Sequence, residues 1–151
     1  MKKIISLVII SLILISCGGQ GEIQKTLCVK TVDEPIKVDR QITLSHKDNL
    51  ILSITSQERM YFDDVFTKDL FNKLIKEMQE RHLESKNLSF NEEVKADYGE
   101  IIIDLKDFNS ATIPELMLIG IDQDDPEYLP GITETIRFNE KDGYTCKSLD
   151  N

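Results

Sequence analysis

The sequence predicts an α+β fold, an antiparallel sheet with helices packed on one face, in a single domain. Three observations lead there. Apolar and polar residues alternate through 26–32 and 41–57, with a proline and a KDN turn as punctuation. From Thr67 the apolar period lengthens to that of a helix. A second strand pair, marked by the helix-resisting run Ile101, Ile102 and Ile103, then precedes two shorter helical segments.

The elements follow in order. Lys2 and Lys3 form a short positive start, and an apolar run from Ile4 to Ile15 follows, broken only by serines. That is the length of a signal-peptide core, and it is short of the roughly 20 apolar residues that cross a bilayer. The run ends Leu14, Ile15, Ser16, Cys17. This ending resembles the lipobox of bacterial lipoproteins, with Ile15 as a tolerated departure. The resemblance implies cleavage before Cys17 and diacylation of its thiol, which forms a stable thioether. Each buried methylene adds about 0.8 kcal/mol, so two or three acyl chains hold a protein where one does not. Residues 1–16 are then a signal peptide and 17–24, with three glycines among polar residues, a flexible tether. The domain occupies 25–151. The expected address is the cell membrane or an outer membrane, with the domain outside the cytoplasm. In a host with two membranes Gly18, which lacks the acidic character that often retains lipoproteins at the inner one, favours the outer.

Within the domain, TLCVKTV (26–32) reads as a strand. Pro35 interrupts it, and extended chain resumes over 36–46. LILSITSQ (50–57) returns across the KDN turn, setting Ile42 and Leu44 against Leu50, Leu52 and Ile54 in a hairpin. Leu70, Phe71, Leu74, Ile75 and Met78 share one helical face. The spacing predicts a helix over Thr67–Glu84, capped by Thr67. LSFNEEVKA (88–96) and EIIIDL (100–105) form a second hairpin. SATIPELMLIG (110–120) predicts a short helix with Thr112 as cap and Pro114 in its first turn. Residues 121–131 form an acidic loop. ITETIRFNEKDG (132–143) predicts a last helix ending at Gly143, and YTCK a terminal strand.

The chain has 151 residues, 18 basic and 27 acidic, for a net charge of −9. Removing residues 1–16 takes away only Lys2 and Lys3, leaving 135 residues with 16 basic against 27 acidic groups, a net −11. So acidic a surface opposes nucleic-acid binding, which needs Lys and Arg against phosphates. It also opposes the domain lying flat on anionic lipid. With Cys17 acylated, Cys28 and Cys146 remain. An exported pair can form a disulfide joining the two ends of the domain; the alternative is two buried free thiols.

The stretch ITLSHKDNLILSITSQERMYF (42–62), with its strand, turn and polar-alternating return, resembles the YehR-like family of small bacterial lipoproteins. His46, Lys47, Asp48 and Asn49 hold the turn without the family's glycine. The helix that follows and VKADYGEIIIDLKDFN (94–109) fit the same layout. The acidic loop and Cys146 depart from it. The resemblance implies the fold and the anchor, and carries over no catalytic residue.

Signatures of catalysis are absent: no GxSxG, Walker loop, HExxH or GxGxxG, and no zinc-ligand spacing. His82 falls on the apolar stripe of the long helix, and His46 beside a turn is expected in solvent. Asp63 and Asp64 form an adjacent acidic pair, the only hint of a hydrolase. Asp122, Asp124, Asp125 and Glu127 are hard oxygen ligands within six residues, weak metal candidates for calcium. An EF-hand beginning at Asp122 needs Gly at its sixth position and Glu at its twelfth; Glu127 and Thr133 stand there. The apolar flanks, LMLIGI before and Tyr128, Leu129 and Pro130 after, could make this loop the rim of a binding groove. The expectation is a non-enzymatic lipoprotein without cofactor, a binding or interaction module of the cell envelope. It is held to the lipid bilayer through Cys17 and docks an envelope protein. The alternative is an accessory binding lipoprotein for a small cationic ligand or a divalent ion.

Overall fold

The computed structural model describes residues 22–82, 85–121 and 129–149. Cys17 and the acids Asp122, Asp124, Asp125 and Glu127 lie outside them. The described elements are β1 (Gln24–Val32), β2 (Val38–Lys47), β3 (Leu50–Tyr61), α1 (Val65–His82), β4 (Leu88–Val94), β5 (Tyr98–Leu105), α2 (Ile113–Leu118), α3 (Ile132–Lys141) and β6 (Thr145–Ser148). A 3-10 turn, Phe108–Ser110, precedes α2. The strands form one six-stranded sheet in the order β4-β5-β3-β2-β1-β6, antiparallel throughout. The predicted α+β architecture is what forms.

Register decides the faces. Thr26, Leu44, Ile54, Leu105 and Leu88 pair in one cross-strand row, and Cys28, Ile42, Ser56, Ile103 and Phe90 in a neighbouring one. Cys28, Leu44, Ile54, Leu88, Ile103 and Leu105 of these rows are buried in the core. The opposite face carries polar pairs instead: Thr31 and Tyr61 each donate to Asp39 at 2.8 Å, and Thr55 donates to Asp104 at 2.6 Å. Because side chains alternate with period two, one face is dry and the other wet.

The β2–β3 hairpin departs from simple alternation. Ser45 pairs with Ser53 but His46 pairs with Ile51, so Leu52 is the extra residue of a bulge. The bulge switches parity. Ile54 and Ile51 are the buried residues of this stretch, with Leu50 exposed, where alternation had set Leu50, Leu52 and Ile54 together. The unbroken alternation of β2, meanwhile, overturns the expectation of a solvated His46. That residue is in phase with Leu44, only 8% exposed, with Nε2 3.1 Å from the Thr26 hydroxyl. At the turn, Asp48 adopts φ +53°, which Asp tolerates. Asn49 then receives α3: its carbonyl accepts from Ile132 N–H at 3.1 Å.

Helix α1 begins two residues earlier than predicted, and its cap is Asp64 rather than Thr67. The Asp64 carboxylate accepts from Thr67 N–H at 2.8 Å, and the Thr67 hydroxyl reaches back to Asp64 N–H at 3.2 Å. The two side chains satisfy each other's backbone reciprocally, as in a capping box. Phe71 and Ile75 turn the predicted stripe onto the sheet, where Phe71 lies over Gly99 and meets Phe62 edge-on at 5.6 Å. At α2 the cap is Thr112, as predicted, with Glu115 accepting from its N–H at 2.7 Å. The buried Glu115 also takes the Ser85 hydroxyl, pinning the segment after α1 to the start of α2. Finally, Cys28 and Cys146 are disulfide-bonded, directly opposite in the β1–β6 ladder with Cα atoms 4.0 Å apart.

Four carboxyls sit below their ordinary range. Hydrogen bonds from Thr31 and Tyr61 do this for Asp39, and those from Thr67 for Asp64. Burial pushes Glu100 and Glu115 up, but it is outweighed. Gln57 and Arg59 bond Glu100, with Arg59 and Lys95 adding positive charge; Ser85, Thr112 and Asn87 bond Glu115. Depressed folded values stabilise the fold fully above the ordinary values, 3.8 for Asp and 4.5 for Glu, and that stability is lost as pH falls through the lower folded ones. A pH series of thermal melts therefore shows these groups contributing nothing to pH dependence between 6 and 7 and a steepening loss below about 4.5. Glu115→Gln removes part of that acid slope.

Candidate functional site

A groove of about 680 Å³ opens on the helix-bearing face. Its floor is three cross-strand pairs of β2 and β3: Leu44 with Ile54, Ile42 with Ser56, and Arg40 with Glu58. One wall is the end of α2, Met117 to Ile121. This helix stops in a Schellman turn, with Ile121 N–H bonding Leu116 O at 2.9 Å and Gly120 N–H bonding Met117 O at 3.2 Å. Gly120 supplies the required positive φ of +82°. The turn folds Ile121 back along the groove. The other wall is α3, through Thr135 and Phe138, followed by Tyr144. Met117 and Phe138 stand 61% and 54% exposed at its edge.

Chemistry varies along its length. One end is aliphatic; the other carries charged and polar groups. Arg40 Nε donates to Glu58 at 2.9 Å, and Lys30 Nζ to the Asp142 carboxylate at 3.0 Å, while Lys30 also sits 5.3 Å from the Tyr144 ring. Burial raises the Tyr144 phenol above its ordinary value; the positive charge of Arg40 opposes this and Asp142 reinforces it. These two ion pairs, with the Glu134 carboxylate also in the lining, give this end hydrogen-bonding groups in place of aliphatic ones. A volume of this size with apolar walls and a few convergent polar groups is what ligand and side-chain pockets have.

No protein-family model matches the chain, and no curated protein matches it. Solved structures do. The chain is similar in fold to E. coli YehR. The two align over 87% of this chain and 96% of YehR, with a TM-score of 0.67 and 12% identity. A protein from Streptococcus pneumoniae TIGR4 aligns over 86% of this chain and 88% of its own, with a TM-score of 0.53 and 16% identity. At such identities the likeness to YehR is one of fold, and it spans the domain from end to end.

Beside the YehR-like fold, the sequence-derived candidates sort as follows. Cys28 and Cys146 are together, in the disulfide. Asp64 is committed to the α1 cap, and Asp63 is exposed beside it. His82 ends α1. Among the described residues, no group of three or more His, Cys, Asp or Glu side chains could hold a metal. The flanks of the acidic loop do line a groove, at Met117–Ile121 and Pro130. Sequence reasoning missed Arg40, Glu58, Phe138 and Tyr144. A signal was present: Arg40 and Glu58 are in phase with Leu44 and Ile54, and charged residues on a core-facing parity mark a place where the core opens. It also missed Glu115, although Thr-x-x-Glu at 112–115 is the capping-box pattern.

Proposed function

We propose that this chain is a bacterial lipoprotein, acylated at Cys17, whose domain is a non-catalytic binding module for another protein of the cell envelope. The groove between α2 and α3 is its binding site. The reading is supported above all by Met117 and Phe138, two large apolar side chains raised by different helices at the rim of one apolar groove. Exposed side chains of this kind become anchors when a partner covers them. The floor beneath is preformed, and its charges are internally paired, so docking an apolar segment strands no ion.

The test is a pair of substitutions. Met117→Lys and Phe138→Lys lie on the surface, so each changes stability by no more than about 0.5 kcal/mol. Both abolish recovery of the envelope protein that co-purifies with the anchored wild type after crosslinking. Undiminished recovery by both variants contradicts the groove as the site. If the anchored wild type recovers no protein, the partner reading falls to the small-ligand alternative, which a rise in melting temperature with divalent cations or small amines identifies.

A further inference from the structure

Ile23, Leu50 and Leu149 are large apolar side chains that the fold leaves 58%, 65% and 46% exposed. They come from three distant parts of the sequence, yet the ladder brings them to one end of the sheet. Gln24, next to Ile23, pairs with His46; Leu50 pairs with Lys47, next to His46; Leu149 N–H bonds Lys25 O at 2.8 Å. This is also the end at which the chain runs back from Glu22 toward Cys17. We infer that this end of the sheet rests on the bilayer, inserting Ile23, Leu50 and Leu149 at the lipid surface so that the strands stand up from the membrane. The inference builds on Cys17 as the lipid anchor.

Chain length makes the choice of end. Six residues from Cys17 to Ile23, at no more than about 3.6 Å each, reach about 22 Å. Another exposed apolar pair, Val65 and Phe66, lies past the far end of β3. Twelve residues of strand at about 3.3 Å each put it about 40 Å away. A domain tethered so closely cannot turn that end to the same membrane without losing the near one. Lys25, Lys47 and Lys147 accompany the apolar trio, but Glu22 and Asp48 sit there too. Three cations against two acids leave a net +1 only, so apolar contact carries the docking, and neutral lipid suffices.

The chain contains no tryptophan, which gives a direct probe. Leu50→Trp, Leu149→Trp and, as control, Phe66→Trp each create a single emitter in the full chain, at an exposed site. Variants with wild-type unfolding transitions are reconstituted into phosphatidylcholine vesicles containing brominated acyl chains, and intact mass reports acylation of Cys17. The expected result is quenching at least twofold greater for Leu50→Trp and Leu149→Trp than for Phe66→Trp. Equal quenching, or none, on an acylated chain overturns the docking and leaves the anchor standing. An unacylated chain without quenching overturns both. Selective quenching on an unacylated chain keeps the docking and removes the anchor.

Discussion

Reduction of the Cys28–Cys146 bond, or its removal as Cys28→Ala with Cys146→Ala, destabilises the domain by about 4 to 5 kcal/mol. The bridge spans 118 residues of sequence, and a closed loop of this length removes that much chain entropy from the unfolded state. Domains of this size are stable by only about 5–15 kcal/mol, so the loss is a large share of the total. The melting temperature drops by on the order of 10–20 °C, read by calorimetry with and without reductant. The consequence reaches the groove. Strand β6 has only four residues and follows directly on α3, which forms one wall. Releasing β6 from β1 loosens α3, so partner capture falls together with stability. A reduced protein that melts with the oxidised one places the stability of the sheet elsewhere.

The second large effect lies under α1. Phe71→Ala costs about 3–5 kcal/mol, because the ring is 1% exposed and its loss leaves a cavity in the core. Its partner is a backbone position. A Cβ at Gly99 collides with the Phe71 ring, so Gly99→Ala alone destabilises by about 1–3 kcal/mol through overpacking. In the Phe71→Ala background the same methyl enters the vacated space, and Gly99→Ala becomes neutral or stabilising. Urea unfolding of the four proteins measures the coupling. Additive losses would show that α1 is not seated on β5 in this register.

These positions also show what could be read from the sequence. Phe71 and Ile75 face the core because a helical apolar stripe has one way to meet a sheet, and their spacing is visible. The strands and the Thr112 cap were legible for similar local reasons. The bridge between Cys28 and Cys146 followed from cysteine count and an exported setting, with two free thiols as the alternative. The α1 start was misread because Asp64 and Thr67 can each serve as cap. The choice falls to whichever places Val65 and Phe66 outside the helix or in it. His46 is in phase with Ile42 and Leu44, so alternation along β2 alone turns it inward; its place beside the turn pointed wrongly to solvent. The burial of Ile51 in place of Leu50 was hidden, because one extra residue at Leu52 re-phases β3 and no local residue type announces it. The groove was legible at its flank, 117–121, and hidden at its floor. Its shape depends on the placement of α3, which Asn49 fixes at one end and the β6 pairing at the other, from the far end of the chain.

The account stands most directly on what touches the groove in living cells. A photoreactive phenylalanine analogue is placed at Met117, Phe138 and, as control, Phe66 of the full chain, and adducts formed in intact cells are identified by mass spectrometry. The account predicts one dominant envelope protein crosslinked at Met117 and Phe138 and not at Phe66. The same spread of adducts at all three positions, or none at the groove, contradicts it.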